Sequence, residues 1–218
     1  MNSMKHKYKL LIFDWDGTLC DSVSRIAHCM QEAARLNNLR VPTFDEAADI
    51  IGLGLREAAS RLFPDADEQM VGKITASYSE YYRTKNAGPS DFFPYVIEVL
   101  NRLKQSGYQL TVATGKSRAG LNRAFKASNI DDLFHDSRCA DETASKPDPL
   151  MLAELLEAFN VTADQALMVG DTEYDMDMAQ RINMPRLGVS YGAHHADRLS
   201  KYNPVACIDC FSEIRKYI

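Results

Sequence analysis

Short apolar runs that alternate with helical stretches leave this chain few folds to choose from. From about residue 95 onward, helices are expected over 95–105, 117–127, 148–159 and 173–182. Between and after them, strands are expected over 109–114, 138–140, 166–170, 186–189 and 205–208. Strands separated by helices of this length predict an α/β fold built on a doubly wound parallel sheet. Sheets of that kind carry their sites at the carboxyl ends of the strands.

An earlier strand is written in Tyr8-Lys9-Leu10-Leu11-Ile12-Phe13, a β-type apolar run that stops abruptly at Asp14-Trp15-Asp16-Gly17. Between about 21 and 85 every periodic stretch is helical. Ile26, Cys29, Met30, Ala33 and Leu36 recur at three- and four-residue spacing, as do Ala58, Leu62 and Phe63, then Met70, Ile74 and Tyr78. Gly52, Gly54 and Pro64 punctuate these helices. The expected organisation is a core formed by 1–19 and 86–218, with an all-helical segment over 20–85 inserted after the first strand. That insertion places the helices over the carboxyl edge of the sheet. There is no internal repeat.

Composition removes several classes of function. The 218 residues carry 25 Lys and Arg against 30 Asp and Glu, a net charge of −5. A mildly acidic chain without long basic runs lacks the clustered cations that bind a nucleic-acid backbone, so no nucleic-acid partner is expected. No apolar run approaches the roughly 18 residues needed to span a bilayer. The opening, MNSMKHKYKLLIF, is basic then apolar, but Asp14 cuts it far short of a secretory signal. Five cysteines, an odd count in a chain long enough to bury a core, suit reduced thiols and a cytoplasmic setting. Monomer and dimer both stay open.

Four sequence-distant features fall at the ends of predicted strands. In Asp14-Trp15-Asp16-Gly17-Thr18, residues two apart share a direction, so Asp14 and Asp16 point together and Trp15 points away. A calcium loop of the EF-hand type does not fit, because Gly17 comes too early and position 12 of such a loop is Arg25. Thr114-Gly115-Lys116-Ser117 contains Gly-Lys-Ser, yet the glycine a nucleotide-binding P-loop needs five residues earlier is Leu110. What remains is a hydroxyl and a free backbone N–H at a helix start, a suitable seat for a phosphate oxygen. Ser145-Lys146-Pro147 supplies a lysine, and Gly170-Asp171-Thr172-Glu173-Tyr174-Asp175 supplies two further carboxylates. Three or four carboxylates, a hydroxyl and a lysine above one sheet edge suit Mg²⁺ and a phosphate group approached by an aspartate.

These motifs, in this order, resemble the haloacid dehalogenase superfamily, and the resemblance covers nearly the whole chain. It is nearest the branch with a helical cap that contains phosphoglycolate phosphatases and β-phosphoglucomutases. The resemblance implies a Rossmann-like core with a small cap. It implies that Asp14 is a nucleophile forming an aspartyl-phosphate and that Asp16 is general acid, then general base. It further implies that Asp14, the Asp16 carbonyl and Asp171 hold Mg²⁺, with Asp175 orienting metal-bound water or Lys146. Thr114, the Gly115 backbone and Lys146 would bind the phosphoryl oxygens of a small phosphorylated metabolite. Asp16 argues for phosphate chemistry, since the dehalogenases of the superfamily lack it. Thr18 is usual in its phosphatases, whereas the mutases commonly carry Val there. Gly115 departs from the Asn common in phosphoglycolate phosphatases. The expected activity is a Mg²⁺-dependent phosphatase with phosphoglycolate as first candidate; a mutase and a non-catalytic binding module are the alternatives.

By analogy with related caps, the loop Gly52-Leu53-Gly54-Leu55-Arg56 is expected to close over the site, with Arg56 reaching the substrate or, equally, standing in solvent. Cys207 and Cys210 read as semi-buried thiols rather than metal ligands. His194 and His195 read as a surface loop, and Trp15 as packed beneath the strand.

Overall fold

The computed structural model describes residues 7–85 and 91–218. The first six residues of the basic opening, and the joint at residue 86 between the expected segments, lie outside the described residues. In chain order the elements are β1 (Leu10–Phe13), α1 (Val23–Leu36), α2 (Phe44–Asp49), α3 (Leu55–Leu62), α4 (Glu68–Lys85), α5 (Val96–Gln105) and β2 (Gln109–Thr114). There follow α6 (Arg118–Ser128), β3 (Asp136–Cys139), α7 (Leu150–Ala158), β4 (Ala166–Gly170), α8 (Glu173–Arg181), β5 (Arg186–Val189), α9 (Ala196–Ser200) and β6 (Cys207–Ile208).

The six strands form one parallel sheet in the order β3-β2-β1-β4-β5-β6. The chain steps outward from β1 to β3, returns to β4 on the other side of β1, and steps outward again. The crevice between β1 and β4 is therefore the topological switch point, where a doubly wound sheet leaves room for a ligand.

Strand alternation divides the core between two faces. Leu11, Phe13, Val112 and Val169 pack with Val96 and Leu100 of α5 and Leu121 of α6. Leu10, Ile12 and Met168 pack on the opposite face with Met151 and Leu152 of α7 and Met178 of α8. Each such side chain, fully buried, contributes roughly 1.5–3 kcal/mol. Trp15 continues the odd-numbered face: it is 1% exposed and meets Phe92, Phe125 and Phe134 edge-on, at centroid distances of 5.8, 5.2 and 6.3 Å. By the same alternation Asp14 follows Leu10 and Ile12 on the other side, toward the crevice.

Helices α1 to α4 have an apolar cluster of their own, including Met30, Ile50, Ala59, Leu62, Val71 and Ile74. The cluster also takes in Tyr174 of α8, whose hydroxyl donates to the Asp49 carbonyl at 2.9 Å. The helical layer is thus fastened to the sheet layer beside the site.

Boundaries shift where local chemistry overrides periodicity. α7 begins at Leu150, beyond Pro147 and Pro149, because proline disfavours helix in the residue before it. β3 starts two residues earlier than expected, and β6 is only two residues long at the sheet edge. α9, five residues without a long apolar period, was not among the expected helices.

Candidate active site

The crevice is built by the segments leaving β1, β2 and β4. The Asp14 N–H still donates to Val169 O at 2.9 Å, so Asp14 is held in register with β4 before the chain turns away. The turn uses Gly17 at φ +82°, in the left-handed region that favours glycine. A Cβ there would lie 2.1 Å from Asp171 Oδ2, so only glycine lets the β1 turn approach that carboxylate. Asp171 itself is fixed by donors: Thr18 Oγ1 donates to Oδ1 at 2.7 Å and the Ala193 N–H donates to Oδ2 at 2.7 Å.

Lys146 reaches into this group with no exposed side-chain surface. Its Nζ donates to Asp14 Oδ1 and to Asp175 Oδ1, each at 2.6 Å. Asp175 Oδ2 accepts from the Thr172 N–H at 3.1 Å and from Thr172 Oγ1 at 2.7 Å, a capping box that opens α8. Both Asp175 oxygens are therefore engaged. Asp14 Oδ2 is buried and has no hydrogen-bond partner among the described residues.

An unpartnered buried carboxylate oxygen is costly unless something comes to it. Oxygens of Asp14, Asp171 and Asp175 lie within 4.8 Å of one another, close enough to share one ion. Four buried carboxylates (Asp14, Asp16, Asp171, Asp175) face the buried ammonium of Lys146 and the half-buried one of Lys116, leaving two negative charges. This donor set, all oxygen and doubly negative, fits a hard divalent cation such as Mg²⁺. Burial and mutual repulsion act on the protonation of these groups. Burial raises Asp14 well above the ordinary carboxylate value; Lys146 offsets part of this, while Asp175 and Asp171 add to it. Burial, then the neighbouring Asp175, pushes Asp171 up to about 7. Burial opposes the Lys146 ammonium, but Asp14 and Asp175 outweigh it and hold it charged.

Asp16 faces a different set of partners. Its Oδ1 accepts from Ser22 Oγ at 2.6 Å and its Oδ2 pairs with Lys116 Nζ at 2.9 Å. Thr114, 1% exposed, accepts from the Lys116 N–H at 3.2 Å and lies at the end of β2 beside Gly115. Asp14, Asp16, Thr114, Gly115 and Lys116 all line one cavity of about 490 Å³ between the helical layer and α6. Gly52 lines it as well. A Cβ on Gly115 would meet the carbonyl oxygens of Leu53 at 2.4 Å and Gly52 at 2.6 Å. The absent side chain at 115 thus gives the Gly52-to-Gly54 loop the room to rest directly on the backbone at the end of β2.

The structure brings Asp14, Asp171, Asp175 and Lys146 into contact, and sets Asp16, Thr114 and Gly115 around the adjoining cavity. It does not bring Arg56 there: Arg56 pairs with Glu68 on the exposed side of the helical layer and is absent from the cavity wall. His194 is a second correction. Rather than sitting in a surface loop it is 2% exposed, accepting from the Glu173 N–H at Nδ1 (3.1 Å) and facing the Asp49 carbonyl at Nε2 (3.1 Å). Burial, reinforced by Arg198, lowers its pKa and keeps it neutral. Cys207 and Cys210 are free, half-buried thiols. Sequence reasoning gave Lys116 and Ser22 no site role and used Thr18 only to tell branches of the superfamily apart. The only signal for Lys116 was its place in Gly115-Lys116-Ser117, and the rejection of a P-loop set that lysine aside.

Residues 11–189 match the model of the haloacid dehalogenase-like hydrolases. The chain belongs to this family. This haloacid dehalogenase-like hydrolase is 34% identical over 212 residues to the probable phosphatase IndB of Dickeya dadantii (strain 3937), covering 94% of this chain and 91% of the relative. It is 30% identical over 218 residues to the phosphoglycolate phosphatase of Aliivibrio fischeri (strain ATCC 700601 / ES114), covering 96% and 94%. The crystal structure of a predicted phosphoglycolate phosphatase from Haemophilus somnus 129pt superposes with a TM-score of 0.88 at 26% identity, covering 97% of this chain and 98% of that one. The hydrolase has the α/β fold and the superfamily branch expected from its motifs. No helix among the described residues is long and apolar enough to cross a membrane.

Proposed function

We propose that this hydrolase is a Mg²⁺-dependent phosphatase that cleaves a small phosphomonoester in the cytoplasm through an aspartyl-phosphate on Asp14. The observation that carries the reading is Asp14 Oδ2: a buried carboxylate oxygen, unpartnered, on a side chain that lines the cavity. Its partner oxygen is pinned by Lys146 at 2.6 Å, so the free oxygen is the one positioned for attack.

The residues divide the work as follows. Asp14 Oδ2 attacks phosphorus, forming the Asp14–phosphorus bond as the bond to the ester oxygen breaks. Asp16 donates a proton to the departing oxygen, then accepts one from the water that cleaves the acyl phosphate and regenerates Asp14. Thr114, the Gly115 N–H and Lys146 hold the phosphoryl oxygens and offset their growing charge. Asp14, Asp171 and the Asp16 carbonyl would hold the Mg²⁺, with Asp175 steadying Lys146. Bound there, the cation neutralises charge that would otherwise set an anionic nucleophile against an anionic ester. Residues 20–85 act as the cap that closes the cavity.

Phosphate release from a panel of phosphomonoesters, with Mg²⁺ or with chelator, tests this for the wild type and Asp14→Asn. Release that needs Mg²⁺ and vanishes in the variant is the expected result. Isomerisation of a sugar phosphate without net release would instead make the enzyme a mutase. Full activity in Asp14→Asn would exclude the nucleophile.

A further inference from the structure

Beyond Asp14 and Asp16, no carboxylate among the described residues lines the 490 Å³ cavity, in a chain whose net charge is −5. Its remaining charged wall is cationic: Arg25, Arg83, Lys116, Arg123 and Lys126. Three of these are already matched. Lys116 pairs with Asp16, Arg25 with Asp91 at 2.6 Å and Arg83 with Glu80. Arg123 and Lys126 are different. They stand three residues apart on α6, the spacing that puts two side chains on one face, and neither side chain has an ion-pair or hydrogen-bond partner among the described residues.

Ser117 caps that helix next to Thr114 and Gly115, and the Arg123 side chain leans back toward the helix start, its Nη2 3.9 Å from where a Cβ on Gly120 would stand. The cap side of the same cavity is apolar and aromatic: Ile26, Met30, Ile50 and Leu55, with Tyr78 and Tyr82 stacked at 5.9 Å. A volume of about 490 Å³ is in the range that encloses drug-sized ligands, far beyond glycolate.

Resting on the phosphatase reading above, we propose that the preferred substrate is a phosphomonoester with an apolar or aromatic body and a second anionic group. Arg123 and Lys126 are the residues that recognise that second group. Guanidinium is suited to the task because its planar donors take a carboxylate or phosphate in pairs. The proposal replaces Arg56 with Arg123 as the residue that reads the far end of the substrate.

The test compares phosphoglycolate, phenyl phosphate and 4-carboxyphenyl phosphate as substrates of the wild type and Arg123→Gln. The expected order of kcat/KM is carboxyphenyl, then phenyl, then glycolate ester, with the carboxylate's advantage residing in KM. In Arg123→Gln the KM for the carboxyphenyl ester rises tenfold or more and the ratio between the two aromatic esters shrinks, reaching about one when Lys126→Gln is added. Phosphoglycolate as the best substrate, or an unchanged ratio in the variant, overturns the inference while leaving the phosphatase reading intact. Failure to release phosphate from any ester would instead strike at that reading. Calorimetric titration of the same esters into Asp14→Asn, with and without Arg123→Gln, then decides the inference separately. A loss of affinity confined to the carboxylated ester supports it, and equal affinities overturn it.

Discussion

Lys116 Nζ lies 2.9 Å from Asp16 Oδ2, and the ring of Tyr82 covers the same ammonium at 5.2 Å. Asp16 comes from the turn after β1, Lys116 from the turn after β2 and Tyr82 from α4 of the helical layer. One cation therefore joins the proposed acid/base to the layer that roofs the cavity. Burial works against the ammonium, but Asp16 and then Tyr82 more than compensate, so Lys116 stays charged.

Replacing that cation should affect turnover more than binding. In Lys116→Met the Asp16 carboxylate loses its cationic partner and keeps only the Ser22 hydrogen bond, and kcat is expected to fall ten- to a hundredfold with a smaller change in KM. Lys116→Arg, which keeps the charge, should recover part of the loss. Steady-state kinetics of the three proteins on one substrate check this; an unchanged kcat in Lys116→Met would show that the pair is only structural.

Adding a side chain at 115 should separate the two layers. Gly115→Asn forces a Cβ against the Leu53 and Gly52 carbonyl oxygens. Overpacking of this kind costs about 1–3 kcal/mol when the neighbours cannot move. A lower Tm, a higher KM, or both are expected. A variant with wild-type Tm and KM would mean that the Gly52 loop shifts freely.

Without a divalent cation the folded state should prefer acid. Asp171 is pushed up to about 7 by burial and by Asp175, and Asp14 is raised well above its ordinary value. Between the unfolded carboxylate value near 4 and the folded value near 7, the folded protein binds more protons than the unfolded chain. Stability of the chelator-treated protein is therefore fully present below pH 4 as far as these groups are concerned, and it declines as pH rises toward 7. Added Mg²⁺ should raise Tm at pH 7.5 and do little at pH 4.5. A Tm at pH 7.5 that is indifferent to Mg²⁺ would count against a cation at these carboxylates.

His194 ties the end of α2 to the start of α8, and its loss should be felt as stability. His194→Ala leaves the Glu173 N–H without its acceptor and the Asp49 carbonyl without one of its two partners, since Tyr174 still donates to the latter. An unsatisfied buried group costs about 1–3 kcal/mol. Denaturant unfolding of the variant should show a lowered midpoint, and a midpoint within error of wild type would assign the fastening to Arg198, which bridges Asp49 and Glu173.

Much of this was legible in the sequence because it depends on local rules. The run from Leu10 to Phe13 could only be a buried strand, and the two-residue period then placed Asp14 in the crevice and Trp15 in the core. What could not be read were relations across the fold. Arg56 and Arg123 are both arginines on amphipathic helices; only packing shows that one meets Glu68 in solvent while the other lines the cavity. His194 had no local partner within its own loop, since its partners, Glu173 and Asp49, lie 21 and 145 residues away. In the sequence Gly115 stands out only as a departure from the usual Asn, and the structure shows it as room for the Gly52 loop.

The central claim is that Asp14 carries the phosphoryl group. Rapid acid quench of the enzyme turning over a ³²P-labelled ester with Mg²⁺, followed by peptide mapping, tests it directly. The account predicts acid-stable, base-labile label on the peptide containing Asp14, formed in the wild type and absent from Asp14→Asn. Rapid phosphate release with no label on that peptide at any quench time would contradict it, and water would then have attacked the ester directly.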